Sequence, residues 1–100
     1  MKVRITPLAS DHLLAAYDYL QTSSPAAAKS QLTKIFDAID RLQQFPYSGR
    51  KGRITGTREL VVPRTPFIVA YTVVDMEVQV LAMLNGALRW PESFQSKAGP

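Results

Sequence analysis

The chain has 100 residues, 46% of them hydrophobic, no cysteine, and twelve Lys+Arg against eight Asp+Glu for a net charge of +4. That size and composition fit one globular domain with a single core and little spare stability, and they exclude a wholly disordered chain, a disulfide scaffold and a cysteine-based zinc site. The small basic excess suits an acidic protein, a nucleic acid or a ribosomal surface equally well. No segment is long enough to span a bilayer, and "MKVRITPL" lacks the apolar stretch of a signal peptide. The expectation is a soluble, cytoplasmic protein.

Lys2–Ile5 alternates and predicts a short strand. Thr6-Pro7 and Ser24-Pro25 each pair an N-cap residue with proline at the first helical position, where its missing amide leaves nothing unpaired. They predict helices at about residues 7–22 and 25–44. In the second, Ala28, Leu32, Ile35, Ile39 and Leu42 step by four and three onto one face. In the first, Leu13, Tyr17 and Leu20 do the same, so the two should pack as an antiparallel hairpin. Pro46 ends the second helix. Residues 47–56 hold three glycines and three basic residues and read as a loop. Strands follow at 57–62, 67–74 and 77–84, joined by a turn at Pro63–Pro66 and a tight turn at Asp75-Met76. Asn85-Gly86 is a turn signal. The domain should occupy residues 1–92, with a polar, frayed tail at 93–100.

The order β-α-α-β-β-β predicts an α+β fold, a helical hairpin packed on one face of an antiparallel sheet. The later strands are apolar on both faces. On the third, Phe67, Val69, Tyr71 and Val73 oppose Ile68, Ala70 and Val74; on the fourth, Val78, Val80, Ala82 and Leu84 oppose Leu81 and Met83. Two helices cover one face only, so part of the other is a candidate partner surface.

Arg50, Lys51, Arg53, Arg58 and Arg64 cluster in sequence around the second strand. "GRKG" at 49–52 matches the GxxG clamp of KH domains, but that clamp joins two helices and this one leads to a strand. Gly49, Gly52 and Gly56 make no dinucleotide fingerprint, because no strand precedes them and no helix follows. His12 is the only histidine, with no cysteine and no acidic cluster to complete a metal site or a nucleophilic triad. No catalytic residue, metal or cofactor is assigned. Trp90 before Pro91 reads as an anchor at the sheet edge.

In order, the segments "YSGRKGRITGTRELVVPRTPFIVAYTV" and "VQVLAMLNGALRWP" resemble the ParE branch of the ParE/RelE toxins of bacterial type II toxin–antitoxin systems. The resemblance runs from Val3 to Pro91. It rests on Pro46, Gly49-Arg50, Arg58-Glu59-Leu60, Val69-Ala70-Tyr71 and Asn85-Gly86 leading to Trp90-Pro91. It implies a toxin held inactive in a hetero-oligomeric complex by a cognate, ParD-like antitoxin, meeting operator DNA only through that antitoxin. It implies DNA gyrase as target for ParE-type members and messenger RNA on the ribosome for RelE-type members. The basic residues Arg50, Lys51, Arg53, Arg58, Arg64 and Arg89 then become expected contacts to target or antitoxin. Leu81, Met83, Leu84 and Trp90 become expected apolar contacts to the antitoxin. RNA cleavage through the 2′-hydroxyl needs an acid and a base. Asn85 stands where the family pattern has histidine, and no tyrosine follows Tyr71. A binding toxin is therefore expected over a nuclease, the alternatives being a ribosome-dependent endonuclease and a non-toxic member that only binds its antitoxin in promoter control.

Overall fold

Thr6 and Ser24 cap the two helices as their positions before proline suggest. The Thr6 hydroxyl accepts the Ala9 amide at 3.3 Å and the Ser24 hydroxyl accepts the Ala27 amide at 3.2 Å. The computed structural model describes residues 1–86. Its elements are β1 (Lys2–Ile5), α1 (Pro7–Ser23), α2 (Pro25–Arg41), β2 (Arg50–Lys51), β3 (Arg58–Val61), β4 (Phe67–Val74) and β5 (Glu77–Asn85). Expectations for Arg89, Trp90 and the 93–100 tail lie outside the described residues. Helix α2 stops three residues short of the expected end. The amides of Leu42, Gln43 and Gln44 turn back to carbonyls three residues earlier, and this tighter turn drives Leu42 fully into the core.

The α+β class and the helical hairpin stand, but the sheet is mixed. Its order is β1-β5-β4-β3-β2, with β1 parallel to β5 and every other pair antiparallel. The expectation of a wholly antiparallel sheet failed at the loop after α2. Arg50–Lys51 there forms a two-residue edge strand antiparallel to β3. That extra reversal gives β3 and β5 the direction of β1. Tertiary pairing created this strand; two charged residues between Gly49 and Gly52 carry no strand signal of their own.

The main core lies between helices and sheet: Leu13, Ile35, Ile39, Val62, Val69, Val80 and Met83 are all buried there. Facing assignments on β5 also need correcting. Ala70 pairs with Ala82 but Tyr71 with Val80, so Leu81 is the extra residue of a bulge. A bulge reverses the alternation beyond it. Met83 therefore points at the helices with Val78 and Val80, while Ala82 and Leu84 share the opposite face. That face is not bare. Ile54, from the loop after β2, packs with Leu8 and Leu81 against buried Ala70, Ala82 and Leu84. Among the described residues no helix is long and apolar enough to cross a membrane.

Candidate functional site

Glu59 organises the basic edge of the sheet. Period-two alternation sets it on the helix-free face, opposite in orientation to Arg58 and Leu60. It pairs with Ala70 on one side and Arg50 on the other. Its carboxylate is only 3% exposed, and burying a bare charge is costly. Four donors make the burial tolerable. One oxygen accepts from Arg50 Nε and Nη2 at 3.3 and 3.0 Å. The other accepts from the Arg53 amide and Nε at 3.0 and 3.2 Å. Burial by itself would raise the pKa of Glu59; the Arg53 amide and the two guanidinium groups outweigh it and leave the carboxyl below its ordinary range.

The same carboxylate ties the loop over the sheet. Further clips are Gly52 N–H to the Thr57 carbonyl at 2.8 Å and the Thr72 hydroxyl to the Gly56 carbonyl at 2.8 Å. Ile54 is thereby held over Ala70 and Ala82.

Arg58 lies across the helix-side face of the edge. Its Nη1 donates to the carbonyls of Tyr47 and Gly49 at 3.2 and 2.8 Å, and its guanidinium sits 5.1 Å from the centre of the Tyr47 ring. Beneath it the Tyr71 hydroxyl, on a fully buried side chain, accepts the Gly49 amide at 2.9 Å. Burial pushes the Tyr71 phenol up against the lowering pull of the Gly49 amide, the Arg58 charge and the Ser48 side chain.

Four of the residues singled out by sequence, Arg50, Lys51, Arg53 and Arg58, thus meet on one sheet edge. Arg64 does not join them. It lies in the turn between β3 and β4 with a left-handed φ of 62° and lines an open cavity with Lys34, Asp37, Asp40 and Arg41. Met83 and Leu84 are buried, and Leu81 is half-buried at the bulge. Sequence reasoning missed Glu59 as the hub and Tyr71 as an anchor. The signal available was a lone carboxylate in an apolar strand among arginines. An exposed apolar groove was also missed. Ile5, Leu13, Leu14, Tyr17, Leu32 and Phe36 line a hollow of about 360 Å³ between the helices and the end of β1.

His12 serves the fold. Its Nδ1 accepts the Met83 amide at 3.3 Å, closing the edge of β5 where β1 has already turned into α1. Burial lowers its pKa, partly offset by Asp11. Among the described residues no group of His, Cys, Asp and Glu has the arrangement to hold a metal ion.

A helical hairpin on a mixed sheet with a cationic edge defines the fold, and comparison with known proteins supplies the family. The family model described as the ParE toxin of the type II toxin–antitoxin system parDE matches residues 3–90, and the chain belongs to this family. It is 36% identical over 74 residues to Y4kP of Sinorhizobium fredii, named as a candidate toxin, covering 74% of this chain and 76% of that one. It is 32% identical over 75 residues to toxin RelE2 of Caulobacter vibrioides, covering 75% and 83%. The solved chromosomal ParDE toxin–antitoxin system from P. aeruginosa superposes with a TM-score of 0.77 at 30% identity, over 85% of this chain and 95% of that one. The protein is a toxin of the ParE/RelE family of type II toxin–antitoxin systems.

Proposed function

We propose that this toxin acts by binding DNA gyrase and arresting replication, not by cutting RNA, and that a cognate antitoxin neutralises it in a hetero-oligomeric complex. The observation that carries this reading is the structural employment, among the described residues, of four side chains that acid–base or phosphate chemistry could call upon. Glu59 is saturated by four donors, Arg58 is spent on two loop carbonyls, the Tyr71 hydroxyl is buried on Gly49, and His12 Nδ1 holds a strand amide. General acid–base groups contribute about 100- to 10,000-fold to rate. Groups locked in this way are poor proton shuttles, whereas a rigid cationic edge suits binding.

The apolar groove between the helices is the seat we propose for the antitoxin. Leu14 and Phe36 are exposed there beside partly buried Tyr17 and Leu32. An amphipathic helix would lay its apolar face in such a groove. Leu81 remains a candidate contact at its half-buried bulge. Support for an antitoxin comes from the ParDE likeness.

Purified toxin should inhibit supercoiling by gyrase, and induction without antitoxin should filament cells while bulk messenger RNA stays intact. Codon-positioned transcript cleavage within minutes, abolished by Arg58→Ala, would assign the chain to the RNA-cleaving branch instead.

A further inference from the structure

We infer that the toxin, when no antitoxin is present, pairs with a second copy of itself through the groove between its helices, the two α2 helices running antiparallel about a two-fold axis at Thr33. This goes beyond the antitoxin reading, because it gives the same groove a different occupant in the antitoxin's absence. Charge is the first observation. Lys29, Thr33 and Asp37 follow one another in steps of four along α2 and line a hollow of about 460 Å³. Steps of four place them in one row on the helix surface, the kind of row that interdigitates in the commonest helix packing. Lys29 and Asp37 lie equally far from Thr33. A two-fold axis there sets Lys29 against the partner's Asp37 and Asp37 against the partner's Lys29, two ion pairs from one arrangement. Within one chain the two are roughly 12 Å apart along the helix, too far to meet. Neither holds an ion pair among the described residues, so both charges are available to a contact between chains.

The second observation is apolar surface. The hollow beside Lys29 is continuous with the groove of about 360 Å³ between the helices, since Tyr17, Leu32 and Phe36 line both. Leu14 and Phe36 stand 63% and 43% exposed along it. About the same axis Phe36 comes over the partner's Ser30, a small exposed residue that leaves room for a ring. Thr33 suits the axis itself. Its hydroxyl already donates to the Lys29 carbonyl at 2.9 Å, so covering it strands no donor.

The third observation is where the remaining charge lies. Two chains of net +4 repel one another. The basic cluster sits at the β2–β3 edge, whereas Ile5, which lines the groove, belongs to β1 at the opposite edge of the sheet. Pairing through the helices therefore keeps the basic edges apart. Area sets the strength. Helix α2 has 17 residues and is about 26 Å long, and two helices side by side are about 20 Å wide. Covering a face of that size on both copies buries about 1,000 Å² in all, the lower end of specific interfaces. Such a dimer is weak, in the micromolar range, and yields to an antitoxin that takes the groove. Until then each copy shields the apolar groove of the other.

Sedimentation equilibrium of the full chain, made by cell-free synthesis, reads its mass between about 1 and 100 μM, the range expected of a small interface. The mass should rise with concentration from 11.1 kDa toward twice that value. Lys29→Glu and Asp37→Lys each turn two attractive contacts into two repulsive ones, and each alone should weaken pairing by about tenfold or more. Mixed in equal amounts, the two variants should pair about as well as wild type, because every charge then meets its opposite across the interface. Misfolded chains could not show that rescue, and all of these positions are exposed. Phe36→Ala should weaken pairing by about tenfold through lost apolar contact. In about 1 M salt, where the screening length is about 3 Å, wild type and the two charge variants should converge. A chain that keeps the monomer mass at every concentration would overturn the inference and leave the groove to other occupants. So would a dimer indifferent to the charge reversals, or reversals that mixing does not rescue. Only the toxin is in the cell, so the antitoxin and gyrase readings stand or fall separately.

Discussion

Replacing Glu59 by glutamine tests whether the basic edge is a built structure or a set of solvated charges. Glutamine keeps the shape but exchanges one acceptor oxygen for an NH2. Whichever way the amide turns, one pair of donors is left facing a donor: Arg50 Nε and Nη2, or the Arg53 amide and Nε. Two of four contacts are lost and the other two cease to be charge-assisted. Hydrogen bonds to charged groups are worth about 1.5–3 kcal/mol each. Both arginines are about half exposed and recover hydration, so the net cost should be nearer 2 kcal/mol in all. Against a total stability of roughly 5–15 kcal/mol that is a large fraction. It should lower the melting temperature by roughly 8–16 °C. Urea unfolding would read the loss, and hydrogen exchange should show the Arg53 and Gly52 amides losing protection while β4 amides keep theirs relative to global unfolding. The pH dependence supplies a second check. The folded Glu59 carboxyl titrates below its usual 4.5. Its contribution is therefore complete above that value and disappears as pH falls through the lower folded value. The gap between wild type and Glu59→Gln should narrow in acid. A variant within about 0.5 kcal/mol of wild type at pH 7, with loop protection unchanged, would refute the clamp. The clamp also means that removing Arg50 and Arg53 together would loosen the loop as well as discharge it, so Lys51 and Arg41 are the cleaner positions for testing charge.

Three further outcomes are expected. Gly49→Ala should destabilise the protein by about 1–3 kcal/mol by urea titration, because the new methyl would meet the Tyr71 ring and hydroxyl at 2.7–2.8 Å and the Glu59 carbonyl at 2.9 Å; the shift should shrink in a Tyr71→Val background. Stability should decline as pH drops below 6.5 toward the lowered value of folded His12 and then level off, since the unfolded chain binds the proton first; His12→Asn, which keeps an acceptor for the Met83 amide, should remove that decline. Met76→Gly should stabilise by about 0.5–1 kcal/mol in thermal melts, as Asp75 and Met76 both occupy left-handed backbone at φ 51° and 61° in a two-residue hairpin turn that favours glycine there.

The amino-acid sequence alone determined the features that depend on neighbours along the chain. Thr6-Pro7 and Ser24-Pro25 placed both helix starts, because a cap and its proline act within one turn. Alternation placed β4 from Phe67 to Val74, and the four-three spacing of Ala28, Ile35, Ile39 and Leu42 put all of them in the core. The ordered set of motifs carried the family. What it left open depends on partners distant in sequence. Two residues at 50–51 became a strand because β3 was there to pair with, and that extra reversal turned an antiparallel expectation into a mixed sheet. A bulge at Leu81 moved Met83 from the supposed partner face into the core, and no local pattern announces one inserted residue within an unbroken apolar run. The arginines looked alike as letters. Only the fold separated Arg50 and Arg53, bound to a buried carboxylate, from Arg58, laid over Tyr47, and Arg64, carried to the far end of β3, since each role is set by which group lies within 3–5 Å across the sheet.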